Sequence, residues 1–409
     1  MSAADSATTT VAIYNPRFKF AMFGCWNQLL DYNEDTDKII KNDNVKKVIT
    51  TLRSETGLSF IVIAGDNYYP IKIKTETEKM SIIDTESLKA GFNLLPSDVP
   101  IYLMYGNHDL DNSPALKIQV KTPGLQGSAY RSPKQCLILN KEEEMVKEPE
   151  RKLERPGPNK LVMFKKIEST IIIMIDTSMY SMPIDDPTLE CYKQLLRNGS
   201  ITPETIMEKQ MSEVREFLDS LIEPNVSIKN VIVVGHDPLL YVKPKKDKET
   251  KKIITKADPL HVKAFDLMFA ISEKIGPDKQ YFYLCADLHN YQKGKLEITK
   301  PGGSLTIQQY VVGTGGTGLD DAIATGVNIT SIQLSNSPYF YEYKVEDSIK
   351  TTGYLICEKE LNKDVLKFEF KQVPPAGAAA AGGKKTRRRK KVKKTKRRKP
   401  KRTPLRITR

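Results

Sequence analysis

Histidine, cysteine and tryptophan are scarce in this chain: its 409 residues include four His, five Cys and one Trp. The cysteines are Cys25, Cys136, Cys191, Cys285 and Cys357, an odd and scattered set without CxxC spacing. Such a set argues against a disulfide framework and for a reducing compartment. No apolar run approaches the roughly 18 residues that a membrane span needs. The polar start, MSAADSATTT, lacks the charged and apolar layout of a signal peptide. The expectation is a protein of the cell interior, cytoplasmic or nuclear, neither secreted nor membrane-spanning.

Acidic residues are missing from one segment. From Lys384 to Arg409 there are 17 Lys and Arg and no Asp or Glu, which leaves 47 basic against 50 acidic residues elsewhere, a net of −3. The body is nearly neutral, and the tail carries the whole surplus of a chain with net charge +14. The tail's cations include Lys384, Lys385, Arg387, Arg388, Arg389, Lys390, Lys391, Lys393, Lys394, Lys396, Arg397, Arg398, Lys399, Lys401 and Arg402. So much charge with so little apolar content predicts disorder. Cations at this density bind nucleic acid or another polyanion by counterion release. Without an aromatic residue the tail has nothing on which to stack bases. A nuclear-import signal uses the same residues and stays open as a second reading. A basic tail on an Ile-, Lys- and Asn-rich body is also similar in composition to proteins of large DNA viruses, which would make the chain virion-associated.

What is present is a regular alternation. Short apolar runs at 18–23, 60–64, 101–105, 171–175, 231–234 and 281–285 read as strands. Several are apolar throughout, as expected of strands buried on both faces. Longer amphipathic stretches at 36–53, 85–95, 203–222 and 259–275 read as helices, the third opening on Thr202-Pro203-Glu204, a good N-cap with Pro in the first turn. From 295 onward the pattern is strands: 295–299, 305–312, 339–344, 353–358 and 365–371. The order predicts an α/β domain over 17–372 with a largely β C-terminal portion on the same core. Residues 1–16 read as a flexible start, 111–160 as a polar insertion over the surface, 373–383 (which includes PPAGAAAAGG) as a linker, and 384–409 as the basic tail.

The main strands each end in a polar cluster: GCWN at 24–27, GDNYY at 65–69, GNHD at 106–109, GHDP at 235–238 and ADLHN at 286–290. In open α/β sheets ligands bind beyond the carboxyl ends of strands, so these clusters can converge. Three of the four histidines, His108, His236 and His289, stand in them beside Asp or Asn; His261 lies in a helical stretch and reads as structural. Singly each cluster reads as a turn. GGTG at 315–318 reads as a glycine-rich turn before a phosphate cradle, and Trp26 as packing.

GDNYY, GNHD, GHDP and the later H-N pair, in this order, resemble the calcineurin-like metallophosphoesterases, nearest to their purple (tartrate-resistant) acid phosphatase branch. MIDT at 174–177 and VVGTGG at 311–316 are similar to stretches of that branch, and the resemblance covers roughly residues 17–320. It implies a four-layer sandwich of two mixed β-sheets flanked by helices, holding two metal ions (Fe, Zn or Mn). Asp66 would bridge them, with Tyr69 and His289 on the first and Asn107 and His236 on the second. His108 would bind the substrate phosphate or protonate the leaving alkoxide. The implied activity is hydrolysis of a phosphomonoester by metal-activated hydroxide. Two positions depart from the family: Cys25 stands where it has aspartate, and Asp287 where it has histidine. A thiolate favours Zn or Fe and a carboxylate harder ions, so both still suit a metal. Cys25 reads equally as a small buried hydrophobe. The competing expectations are therefore a dinuclear phosphoesterase and a catalytically silent fold of this kind, structural or nucleic-acid-associated through its tail; a nuclease carries less weight.

Overall fold

The apolar runs become the middle strands of two mixed sheets. In the computed structural model the residues described are 16–33, 36, 38–74, 79–113, 116–121, 128–131, 136–183, 186–221, 227–246, 253–334, 337–360 and 363–374. The starting segment before Pro16, most of the linker and the basic tail lie outside them. Contacts divide the chain after Ala376, and the unit that ends there is the one described.

One sheet has six strands, in spatial order Leu153–Glu154, Ile101–Leu103, Phe60–Ile63, Pro16–Phe23, Thr352–Glu360 and Leu366–Val373. Its first four are parallel and its last two join antiparallel. The other has eight: Val162–Ile167, Thr170–Ile175, Asn230–Val234, Gln280–Cys285, Gly303–Val312, Tyr291–Lys300, Phe340–Ile349 and Asn328–Gln333. A parallel centre, Thr170–Ile175 through Gly303–Val312, is flanked by antiparallel partners.

Period-two alternation sorts the side chains. On Thr170–Ile175, Ile171, Ile173 and Ile175 enter one core while Ile172 and Met174 enter another, and Val231 and Val233 part from Ile232 and Val234 in the same way. Both faces of these strands are buried, as the unbroken apolar runs predict. The second core also takes Phe20, Ile61 and Leu355 from the six-stranded sheet. Ring pairs cross it: Tyr310 stacks on Phe368 at 4.8 Å and Tyr291 on Phe370 at 4.1 Å between centroids, and Phe282 meets Phe368 at 4.7 Å with its ring tilted. Each such aliphatic side chain contributes about 1.5–3 kcal/mol when fully buried, so burial on two faces fixes the register of these strands.

The described residues contain six α-helices: α1 Asp43–Arg53, α2 Thr85–Phe92, α3 Leu137–Val146, α4 Leu189–Leu196, α5 Pro203–Ser220 and α6 Val262–Ile275. Helices α5 and α6 bury Ile206, Val214, Leu218, Phe265 and Met268 in the first core. Thr202 caps α5 through Thr205, with Pro203 in its first turn. Among the described residues no helix is long and apolar enough to cross a membrane.

Several expectations need correction. The helix expected at 36–53 starts at Asp43, capped by Asn42, because Lys38–Lys41 pairs as a strand with Leu30–Asn33. Residues 111–160 do more than lie over the surface: α3 buries Ile138, Leu139 and Met145, and Leu153–Glu154 adds an edge strand to the six-stranded sheet. The last strand runs to Val373, one residue into the expected linker. His261 sits outside its helix as the N-cap of α6, its ring accepting from Lys263 N–H. The cysteines are not all free: Cys136 and Cys191 form a disulfide across 55 residues, which overturns the argument from an unpaired, sparse set.

Candidate metal centre

Three strands of the six-stranded sheet and two of the eight-stranded sheet deliver their carboxyl ends to one place. Pro16–Phe23 leads to Cys25, Phe60–Ile63 to Asp66 and Tyr69, and Ile101–Leu103 to Asn107 and His108. Asn230–Val234 leads to His236 and Gln280–Cys285 to Asp287 and His289. The loops are laced by main-chain bonds: Cys25 N–H donates to Gly65 O (3.2 Å), Trp26 N–H to Asp66 O (3.2 Å) and Ala286 N–H to His236 O (2.8 Å). Two glycines permit this closeness. At Gly65, whose φ is +82°, a Cβ would lie 2.7 Å from His236 Nδ1; at Gly106 it would lie 2.4 Å from Asp66 Oδ1.

Asp66 is the centre of the arrangement, and its two oxygens face different groups. Oδ2 accepts from Tyr69 OH at 2.5 Å and from Cys25 Sγ at 3.9 Å. Oδ1 accepts from His108 N–H at 3.0 Å and lies 3.4 Å from His236 Nε2. On the first side His289 Nε2 meets Tyr69 OH at 3.0 Å. On the second, His236 Nε2 lies 3.1 Å from Asn107 Oδ1 and 3.6 Å from Asp287 Oδ1. All eight residues read from the sequence as metal ligands or catalytic group are therefore brought together. His108 is half-buried, its ring 4.4 Å from that of Tyr69.

Both candidate histidine ligands are oriented in the same way. His236 Nδ1 bonds Ala64 O at 2.7 Å and His289 Nδ1 bonds Gly318 O at 2.7 Å. A carbonyl can only accept, so each Nδ1 carries hydrogen and each Nε2 is directed into the site, the outer-shell pattern of metal-binding histidines. Three of the eight non-glycine residues with positive φ among the described residues are candidate ligands. Cys25, Asp66 and Asp287 have φ of +53°, +54° and +49°. Left-handed backbone at residues other than glycine costs on the order of 1–3 kcal/mol each, and such residues cluster where a fold must aim a side chain.

Electrostatics favour a cation. Burial would raise Asp66, but His236, His108 and the Tyr69 hydroxyl outweigh it and hold its pKa below the ordinary carboxylate value. Burial would lower His236, yet Asp66, Asp287 and Asp237 keep it well above the usual imidazole value. Burial, then the Asp66 charge, pushes Cys25 and Tyr69 well up, so both favour their protonated forms. One phenolic proton cannot serve both Asp66 Oδ2 and His289 Nε2.

Around His236 the donor spacing suits an ion. Ligands about 2.0–2.3 Å from a tetrahedral metal lie about 3.3–3.8 Å apart. The His236–Asp66 and His236–Asp287 pairs, at 3.4 and 3.6 Å, fall in that range; Cys25–Asp66 at 3.9 Å is wider, and Tyr69–Asp66, Tyr69–His289 and His236–Asn107, at 2.5, 3.0 and 3.1 Å, stand at hydrogen-bond distances that would open around an ion. Cys25, Asp66 and His236, all buried, form a group able to hold a metal ion, their donor atoms within 4.8 Å of one another.

Supporting residues had no assigned role in the sequence, although they stand in the same motifs. Asp109 of GNHD accepts from Gly106 N–H (2.8 Å) and Asn67 N–H (2.6 Å), fastening two ligand loops together. Thr177 of MIDT accepts from the backbone N–H of His236 (3.0 Å) and Asp237 (2.8 Å), and Tyr241 OH donates to Asp237. Trp26 packs edge-on against Phe23 and Phe92 and is fully buried. The glycine-rich stretch is a packing turn, with Gly315 N–H donating to Gly24 O at 3.1 Å. No known protein-family model matches this chain and no curated protein does, so the reading of the site rests on its own geometry.

Proposed function

We propose that the chain is a phosphoesterase dependent on two metal ions, with the metallophosphoesterase sandwich as its architecture and Asp66 as the bridging ligand. The observation that carries this reading is the division of Asp66: Oδ2 toward Cys25 and Tyr69, Oδ1 toward His236. Tyr69, His289 and Cys25 would hold one ion, and His236, Asn107 and Asp287 the other. Such a pair supplies positive charge for phosphate oxygens and lowers the pKa of water, which suits attack on a phosphomonoester. The chain's own part is to fix both imidazoles by Ala64 and Gly318 and to keep the half-buried His108 beside the site, where it meets the phosphate or the leaving oxygen. A catalytically silent scaffold is the second reading, favoured by the protonated Cys25 thiol closing onto Asp66.

Elemental analysis of purified protein, followed by assay on an activated aryl phosphate with the metals found, separates the two. The phosphoesterase reading expects about two ions per chain, and Asp66→Ala should lose metal and rate together because one carboxylate serves both ions. Full activity in that variant overturns the proposal.

A further inference from the structure

A pocket lies between α3 and α4, and Tyr105 from the loop after Ile101–Leu103 reaches its wall. Arg155, Tyr105, Lys147, Arg197, Glu143 and Gln194 are among the residues that line it. Three cations meet two carboxylates here, since Lys147 lies 3.9 Å from Glu143 and Arg155 pairs with the buried Glu142, which leaves a surplus of one positive charge. Lys147 and Arg197 are exposed at the ends of α3 and α4, while the Tyr105 and Arg155 side chains are 2% and 4% exposed. The two helices are tied to each other by the Cys136–Cys191 disulfide, so the walls are held at a set width.

Arg155 is the unusual member. Its Nη2 donates to Glu142 and its guanidinium lies 4.9 Å over the Tyr105 ring, but Nε and Nη1 are buried with no partner in the protein. A buried N–H without an acceptor costs about 1–3 kcal/mol, more on a charged group. A fork of unused donors on a planar cation matches phosphate or carboxylate oxygens.

We propose that this pocket is a binding site for a small phosphate-bearing anion with a flat or apolar group, independent of the metal centre. Arg155 supplies the inner donors, Lys147 and Arg197 stand at the mouth, and Val146, Pro156 and Leu195 offer apolar wall. The pocket borders the metal centre through protein alone: Glu142 stands beside Asp109, which fastens the loops of Asn107 and Asp66. Replacing Arg155 would leave Glu142 uncompensated, so the mouth residues are the clean ones to change.

The test titrates phenylphosphonate, which has no ester to hydrolyse, into the full chain and its variants by calorimetry, with melting temperature as the control for folding. The expected result is saturable binding that survives in Asp66→Ala and weakens about tenfold or more in the Lys147→Ala/Arg197→Ala double variant, since each lost charge-assisted contact is worth at least about that factor. No saturable binding in Asp66→Ala, or undiminished binding in the double variant, overturns the proposal.

Discussion

Cys25 is held in a left-handed backbone conformation with its sulfur turned to Asp66, and two accounts of it make opposite forecasts. If the thiolate ligates a metal, Cys25→Ser should lower metal content, since a neutral hydroxyl replaces an anion. Cys25→Asp should restore it and shift preference toward harder ions. If the residue only packs, serine should leave metal unchanged, and aspartate should lower the melting temperature as an unpaired buried charge. Metal content and melting temperature of the two variants, measured side by side, distinguish these outcomes. Both accounts share one contact: Sγ stands 3.9 Å from the carboxylate oxygen that Tyr69 also binds, as a thiol donor in the packing account and as a neighbouring ligand in the metal account. At this scale the sequence was legible because chemistry-bearing residues are rare in it. With only four histidines in the chain, three at strand ends could not be ignored. The carbonyls of Ala64 and Gly318 that aim two of them were invisible, because any residue supplies a carbonyl and only the fold decides which one is near.

Among the elements, α3 and α4 are the ones that periodicity failed to reveal. Both are short, and α3 carries Glu142 on its buried side, where a polar residue breaks the apolar stripe that announces a helix. That carboxylate is tolerated because Arg155 pairs with it from the loop that follows. The disulfide from the N-cap of α3 to α4 closes a 55-residue separation, for which loop entropy alone predicts a stabilisation of about 4 kcal/mol. A Cys136→Ala/Cys191→Ala double variant should therefore melt below the parent under oxidising conditions, and the gap should close when the parent is reduced. Identical melting in both conditions would mean that the two thiols are not bridged. The central strands, by contrast, were legible to within a residue or two at each end. Their apolar runs are buried on both faces, so no other element satisfies them. The hairpin strands Leu240–Lys246 and Ile253–Pro259 were missed, because their pairing depends on a partner that local pattern does not name.

For the whole molecule, charge and chemistry are segregated. Every candidate ligand lies between Cys25 and His289, whereas the 17 cations of the tail begin at Lys384, beyond a Gly/Ala-rich stretch. The body without them has a net charge of −3, and so has no surplus with which to hold a polyanion. Removal of residues 384–409 should consequently leave turnover of a small aryl phosphate and metal content unchanged, while affinity for duplex DNA or RNA falls. The parent's affinity should drop steeply with added salt, because neutralised phosphates release counterions with a slope of about −0.9 per contact on B-DNA. The truncated chain should show almost no such slope. Shuffling the tail sequence while keeping its composition should preserve binding, since a run without aromatics has only its charge to offer and cannot read bases. If binding survives both truncation and high salt, the polyanion site is on the body; if it survives truncation but keeps the salt slope, the lysines of Leu240–Lys246 and Ile253–Pro259 are the next cations to remove.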